Sequence, residues 1–279
     1  MPPVTSPPIH IVTAYPGALA EHFMLSRLSA VWREEGREVV VGPLARLEAG
    51  LGLLHIDSTR VDPGQVPSVA PAARLLNGRV LDISKRGFSR LLLRPDSPWD
   101  GPVIIKTDAN FHGVPEASAR PPGWLGRLRR QLPWRLARQL PARDYPVLPH
   151  RDRVPAWVWR RQDLVVERFI PERAGRNYVL RMYLFFGDRG VVYRMEADRP
   201  VIKAQGIVGF ETTYDEPPPE IAEARVALGF DFGKFDYVLH EGRPVLLDVN
   251  KTPAVSGKRR ERTAYLAGGL QRILAEVAG

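Results

Sequence analysis

The chain has 279 residues, enough for one large domain or two to three small ones, and its 44% hydrophobic content supports a true core. It has no cysteine, which excludes a disulfide framework, thiolate metal sites and thiol nucleophiles. No apolar run approaches the roughly 20 residues of a membrane helix, and the Pro-rich, uncharged stretch Met1 to Pro8 is no signal peptide, so a cytoplasmic location is expected.

The net charge is +9, mostly from arginine. Such a balance favours anionic partners: nucleic acid, acidic membranes or acidic substrates. A GC-rich genome gives the same excess of arginine and proline.

Taken in order, Ile9 to Ala14 reads as a short strand. Ala18 to Glu35 reads as an amphipathic helix with Phe23, Leu25, Leu28 and Trp32 inward. Val39 to Val41 and Leu53 to Ile56 give two more strands, so the start suggests a small open α/β unit with a parallel sheet. Gly50-Leu51-Gly52 lacks the third glycine of a dinucleotide fingerprint, and there is no Walker A sequence. Val61 to Pro71 is Pro-rich and reads as a linker. Val80 to Leu93 reads as a strand end and a short helix. Val103 to Lys106 is a buried strand ending in a cation, followed by the turn-forming residues Thr107 to Glu116.

Between Arg120 and Arg161, Trp124, Leu128, Leu132, Leu136 and Leu140 recur every fourth residue with arginines between them. That is a basic amphipathic helix interrupted by Pro133. It suits a lid, an anionic lipid surface, a partner's dock, or simple packing on its own subdomain. Leu164 to Ile170 is another strand. Tyr178 to Phe186 and Gly190 to Arg194 make a hairpin over Gly187-Asp188-Arg189. Ile221 to Leu228 is helical, and Thr263 to Val277 reads as one C-terminal amphipathic helix.

The chemistry concentrates in a second hairpin, Gly233 to Val238 and Pro244 to Pro253, turning over Leu239 to Arg243. Its apolar strands carry Asp236 and Asp248. Asn250 lies two residues past Asp248, so strand alternation puts both on one face. Three hard oxygen ligands then converge, which is what Mg²⁺ asks of a protein. The bland alternative is an edge hairpin with solvated acids. The histidines do not cluster: His10 and His55 read as structural, and His112 lies in the turn after Lys106. No nucleophile elbow or Ser-His-Asp order is readable.

The order of these motifs resembles the ATP-grasp superfamily over roughly residues 80 to 260, and within it the peptide-tail glutamate ligases and D-alanine–D-alanine ligases. The resemblance rests on Val103 to Lys106, Val165 to Ile170, the hairpin arginines Arg181 and Arg194, Lys234-Phe235-Asp236, and Asp248-Val249-Asn250-Lys251-Thr252-Pro253. The family's first ligand in the last element is Glu; here it is the shorter Asp248. Gly113 is the one glycine of a loop that in the family often has several.

The resemblance implies an α/β (α+β) ATP-grasp fold, two subdomains holding ATP between them, preceded by a small α/β domain. The expected divisions are 1–78, 79–166 with the basic insertion, and 167–279 with the metal site. It implies ATP with Mg²⁺, or Mn²⁺ as the alternative ion. Lys85 would contact the nucleotide, Lys106 would meet phosphate, and Asn110 and Gly113 would belong to the loop that covers it. Glu167, Phe169 and Ile170 would form the adenine hinge, and Glu172 would meet the ribose. Asp236, Asp248 and Asn250 would hold metal. Arg181, Arg194 and Lys203 would stabilise the transferring phosphoryl group. Ser256, Lys258 and Arg259, in the loop leaving the metal site, would touch a second, anionic substrate.

The implied reaction joins a carboxylate to an amine through an acyl phosphate, on small molecules or peptides. Nucleic acid is not the expected partner, and a homodimer is compatible with the sequence. The alternatives are a small-molecule kinase on the same scaffold and a non-catalytic binder of anionic surfaces.

Overall fold

The structure is a computed structural model that describes residues 7–110, 132–141, 144–202, 206–255 and 260–278. Its first strand is β1 (Ile9–Val12), and helix α1 (Met24–Glu34) follows. Then come β2 (Val39–Gly42), β3 (Arg46–Leu47), β4 (Gly50–Leu54), β5 (Ser68–Val69) and β6 (Ala73–Leu76). The order β2-β1-β4-β6 is parallel throughout. Their Val, Ile and Leu runs suit a sheet that is covered rather than solvated.

Two local readings change. The helix begins at Met24, not Ala18, because Phe23 leaves the helical path to bridge Ala254. The stretch 61–71 is not a bare linker: Asp62 accepts from the Gly64 N–H to cap a single 3₁₀ turn, and β5 pairs with β3.

A second, antiparallel sheet has the order β8-β7-β9. It contains β7 (Val103–Thr107), the one-turn helix α3 (Trp134–Ala137), β8 (Val147–Leu148), α4 (Ala156–Trp159) and β9 (Leu164–Arg168); the single turn α2 (Lys85–Phe88) precedes it. Val103, Ile105, Leu148, Val158, Leu164 and Val166 form its core. The first part of the expected basic helix, with Trp124 and Leu128, lies outside the described residues. In the described remainder Pro133 caps the start of the single turn α3.

The largest sheet has the order β13-β12-β11-β14-β15, with β10 on the free end of β11. Its strands are β10 (Glu172–Ala174), β11 (Asn177–Phe186), β12 (Arg189–Ala197), β13 (Ile207–Thr213), β14 (Phe232–His240) and β15 (Arg243–Asn250). Helix α5 (Pro219–Ala227) lies between β13 and β14, and α6 (Arg260–Ala267) and α7 (Gly269–Ala278) close the chain. Alternation splits the sheet's apolar residues cleanly. Tyr183, Phe185, Phe235, Tyr237 and Val249 pack with Val80, Ile83, Ile221 and Phe230 on one side. Leu184, Phe186, Val191 and Phe232 join α6, α7 and the N-terminal sheet on the other.

The expected single C-terminal helix is two helices broken at Gly268. A Cβ on Gly269 would overlap the carbonyl oxygen of Phe186, so only glycine lets α7 approach that strand end. Among the described residues no helix is long and apolar enough to cross a membrane.

The N-terminal sheet closes a small core of its own on one face, with Val12, Leu54, Ile56 and Val61, and shares its other face with the rest of the molecule. Ile9, Ile11, Leu51, Leu53 and Trp32 share one cluster with Leu184, Phe186, Phe232, Leu266 and Leu270. Asn77 ties the two units polarly: its Oδ1 accepts from the N–H groups of Asp231 and Phe232, and its Nδ2 donates to the Phe232 carbonyl.

Candidate active site

The β14–β15 register sets the site. Asp236 lies directly opposite Asp248, and Lys234 opposite Asn250, so all four share one face. A bulge leaves Leu247 as the extra residue just before Asp248, since Tyr237 pairs with Leu246. Lys234 Nζ donates to Asp236 Oδ2 at 3.0 Å, while Asp236 Oδ1 is buried with no hydrogen-bond partner. Asn250 is oriented by its own turn: the Thr252 N–H donates to its Oδ1 at 2.8 Å, and the Thr252 hydroxyl is anchored on Asp57 Oδ1 at 2.7 Å.

Two further lysines arrive from elsewhere. Lys85, in α2, is buried, and its Nζ lies 3.4 Å from Asp248 Oδ1. Lys106, at the end of β7, pairs with the fully buried Glu167 at 2.7 Å. Its field reaches Asp236.

Two carboxylates directly opposite each other repel. Burial raises the pKa of Asp236, Lys234 pulls it down, and Asp248 raises it again; the balance is upward. For Lys234 burial acts downward, but Asp236 and then Asp248 outweigh it and its pKa is raised. Lys234 and Lys85 answer the two carboxylates in formal charge, yet the carboxylates stay opposed and, among the described residues, one buried acceptor remains without a partner. A small divalent cation with oxygen preference fits this donor set and would remove both the repulsion and the orphan. Among the described residues no group of three or more His, Cys, Asp or Glu side chains comes together at metal-binding spacing; the set here is two aspartates and an asparagine.

The structure brings together Lys85, Lys106, Glu167, Asp236, Asp248 and Asn250. It adds Lys234, whose spacing of two residues from Asp236 in Lys234-Phe235-Asp236 was the available signal for a shared face. Asn110 sits at the rim, buried, its N–H donating to Thr59 Oγ1 at 2.9 Å. Phe169 and Ile170 follow β9 directly, and the Phe169 N–H is already used on the Pro102 carbonyl.

Arg181 and Arg194 stand elsewhere. They are cross-strand partners, and Arg181 also pairs with Tyr237, one residue out of phase with Asp236. They therefore occupy the opposite face of the sheet. Glu172 grips Arg181 with contacts of 2.7, 3.0 and 3.2 Å, and Glu196 holds Arg194 at 2.5 Å. A cleft of about 490 Å³ on that face is lined by Arg181, Arg194, Glu211, Tyr237 and Pro217 to Pro219. Gly113, His112, Lys203, Ser256, Lys258 and Arg259 lie outside the described residues.

No protein family's sequence profile matches the chain, and no curated protein matches it. Solved structures do. The ATP-grasp ligase PsnB, complexed with minimal precursor, Mg and ADP, is 12% identical with a TM-score of 0.52, covering 97% of both chains. D-alanine–D-alanine ligase from Bacillus anthracis is 12% identical with a TM-score of 0.49, covering 98% of this chain and 97% of that one. A RimK-domain ATP-grasp protein from Sphaerobacter thermophilus is 13% identical with a TM-score of 0.46, covering 96% and 100%. The first of these carries the assignment of architecture: the chain has the ATP-grasp fold.

Proposed function

We propose that this protein is an ATP- and Mg²⁺-dependent carboxylate–amine ligase of the ATP-grasp superfamily. The observation that supports this reading best is the convergence of Asp236, Asp248 and Asn250 on one sheet face with lysines from α2, β7 and β14 around them. Asp236, Asp248 and Asn250 would hold the metal, which when bound neutralises phosphate charge during transfer. In the reaction the ATP γ-phosphoryl passes to a substrate carboxylate, ADP leaves, and the amine displaces phosphate from the acyl phosphate.

Each side chain then has a task. Lys85 and Lys106 are compact charges suited to phosphate oxygens. Glu167 holds Lys106 in place from the fully buried interior of the small sheet. Lys234, bonded to Asp236 and in the field of Asp248, is held protonated and would face the transferring group. Phe169 and Ile170 flank the expected base position. Arg181, Arg194 and Glu172 support the sheet from its other face. No protein nucleophile is required, in keeping with a chain that has no cysteine.

The test is ADP release with pooled amino acids, peptides and small acids, followed by mass spectrometry of the product. A new amide, formed only with an amine present, supports the ligase. A stable phosphorylated compound made without amine overturns it in favour of a kinase. No ADP release with any pool, in a preparation that binds ATP analogues, removes the enzymatic reading.

A further inference from the structure

On the face that carries Asp236, two strands across the large sheet, lies a second set of buried polar atoms that the ligase chemistry above leaves unused. Tyr193 pairs with Met182, and Met182 with Asp236, so Tyr193 stands about 10 Å along the face from Asp236 by strand spacing. Arg262, in the first turn of α6, lies over the Tyr193 ring with its guanidinium carbon 5.5 Å from the centroid. The arginine is 6% exposed, yet its Nε and Nη2 are buried and have no hydrogen-bond partner among the described residues. Opposite Tyr193, in β13, Thr212 holds a buried Oγ1 that also has no hydrogen-bond partner.

A guanidinium removed from water needs a counter-charge, and the face of one aromatic ring supplies only part of it. The unused nitrogens are informative in themselves. Nε and Nη2 form one edge of the arginine fork, the edge that meets two oxygens of a carboxylate or phosphate in parallel. The first turn of a helix disfavours a cation and favours an anion, which makes an unaccompanied arginine there doubly costly. A buried hydroxyl beside it adds a donor.

We infer that Arg262, with Thr212, receives an anionic group, carboxylate or phosphate, on the substrate, on the sheet face that carries Asp236 and two to three strands across from it. This rests on the ligase reading for the location of the reacting end. It makes the substrate a two-ended molecule: a reacting group at the acids and a second, negatively charged one at Arg262.

The test needs no ATP. Thermal unfolding of the full chain is followed with glutarate, with inorganic phosphate and with neutral glutaramide, in wild type, Arg262→Met, Arg262→Lys and Thr212→Val. Wild type is expected to gain Tm with at least one anion and none with glutaramide; which anion acts separates carboxylate from phosphate recognition. Arg262→Met should unfold at or above the wild-type temperature without ligand, since an unpaired charge has gone. It should bind the anion about ten- to a hundredfold more weakly, the worth of a charge-assisted pair. Arg262→Lys and Thr212→Val should fall between.

A wild type indifferent to both anions, an unaltered response in Arg262→Met, or a large loss of Tm in that variant each overturns the inference, the last making Arg262 a structural partner of Tyr193. Because no nucleotide is present, Arg262-dependent binding stands even if ADP release fails, and ADP release stands if this binding fails.

Discussion

The two faces of the large sheet carry charge in opposite ways. On one, each arginine is closed by its own carboxylate: Glu172 chelates Arg181 and also accepts from the Leu239 N–H at 2.7 Å, and Glu196 holds Arg194. On the other, two aspartates stand directly opposite each other, one carboxylate oxygen has no partner among the described residues, and lysines from three separate elements lean in. Satisfied charge is structure. Unsatisfied charge, held rigidly by strands, is held in readiness for something that is not protein.

The sharpest way to break this contrast is at the acids. Asp236→Asn or Asp248→Asn should lower Mg²⁺-dependent ADP release by about a thousandfold or more while leaving the protein no less stable, because a like-charge pair is relieved. Near-normal turnover in either variant would make the two faces equivalent. The next largest effect separates the cations. Lys234→Met should cost roughly a hundredfold in kcat, whereas Arg194→Met, on the far face, should change kcat by less than about threefold. Steady-state kinetics on both variants decides which face meets the phosphates.

The closed face should answer in stability rather than rate. Arg181→Met or Glu172→Gln should destabilise the fold by about 2 kcal/mol in urea unfolding, as expected for a part-buried charge-assisted pair. The double variant should lose little more than either alone, since each single change already removes the interaction. Additive losses would show that the two side chains act separately.

The smallest effect concerns a buried group on neither face. His55 has both ring nitrogens buried without hydrogen-bond partners and meets Phe23 edge-on at 4.8 Å. Burial first, then Lys251 and His22, lower its pKa from 6.5 to about 3. The folded state therefore resists a proton that the unfolded chain takes up. His55 contributes full stability above pH 6.5 and loses it progressively as pH falls towards 3, about 2 kcal/mol by pH 5. In His55→Phe that part of the acid slope should vanish; an unchanged slope would assign it to other groups.

Much of this was legible in the chain. Asp236, Asp248 and Asn250 announce themselves because acids are out of place in apolar strands, and a spacing of two fixes a shared face within one strand. Lys106 and Glu167 mark strand residues for the same reason. The arginines could not be assigned to a face, because the phase of Arg181 relative to Asp236 depends on the register between strands distant in sequence, which no local pattern encodes. Strand Ile207–Thr213 was missed because Gly209, Glu211 and the threonines break its apolar alternation. The broken C-terminal helix kept its helical period across Gly268-Gly269; only the approach of Phe186 explains the break. Arg262 drew no notice as one arginine in a basic run, and burial alone distinguishes it.

The bond from the Trp32 indole N–H to the Ala267 carbonyl joins residues 235 apart in the chain, and Met24 likewise donates its N–H to Pro253. During synthesis the first helix therefore leaves the ribosome with its largest apolar side chain and nowhere to put it. At ordinary elongation rates the partner follows roughly ten to fifty seconds later. The early α/β unit must wait, partly assembled, with an aggregation-prone surface uncovered. High contact order of this kind slows folding and makes the later-made helices, not the earlier-made sheet, the step that commits this fold. A chain cut short before residue 267 would lose more than its tail, because the N-terminal unit would never find its lid.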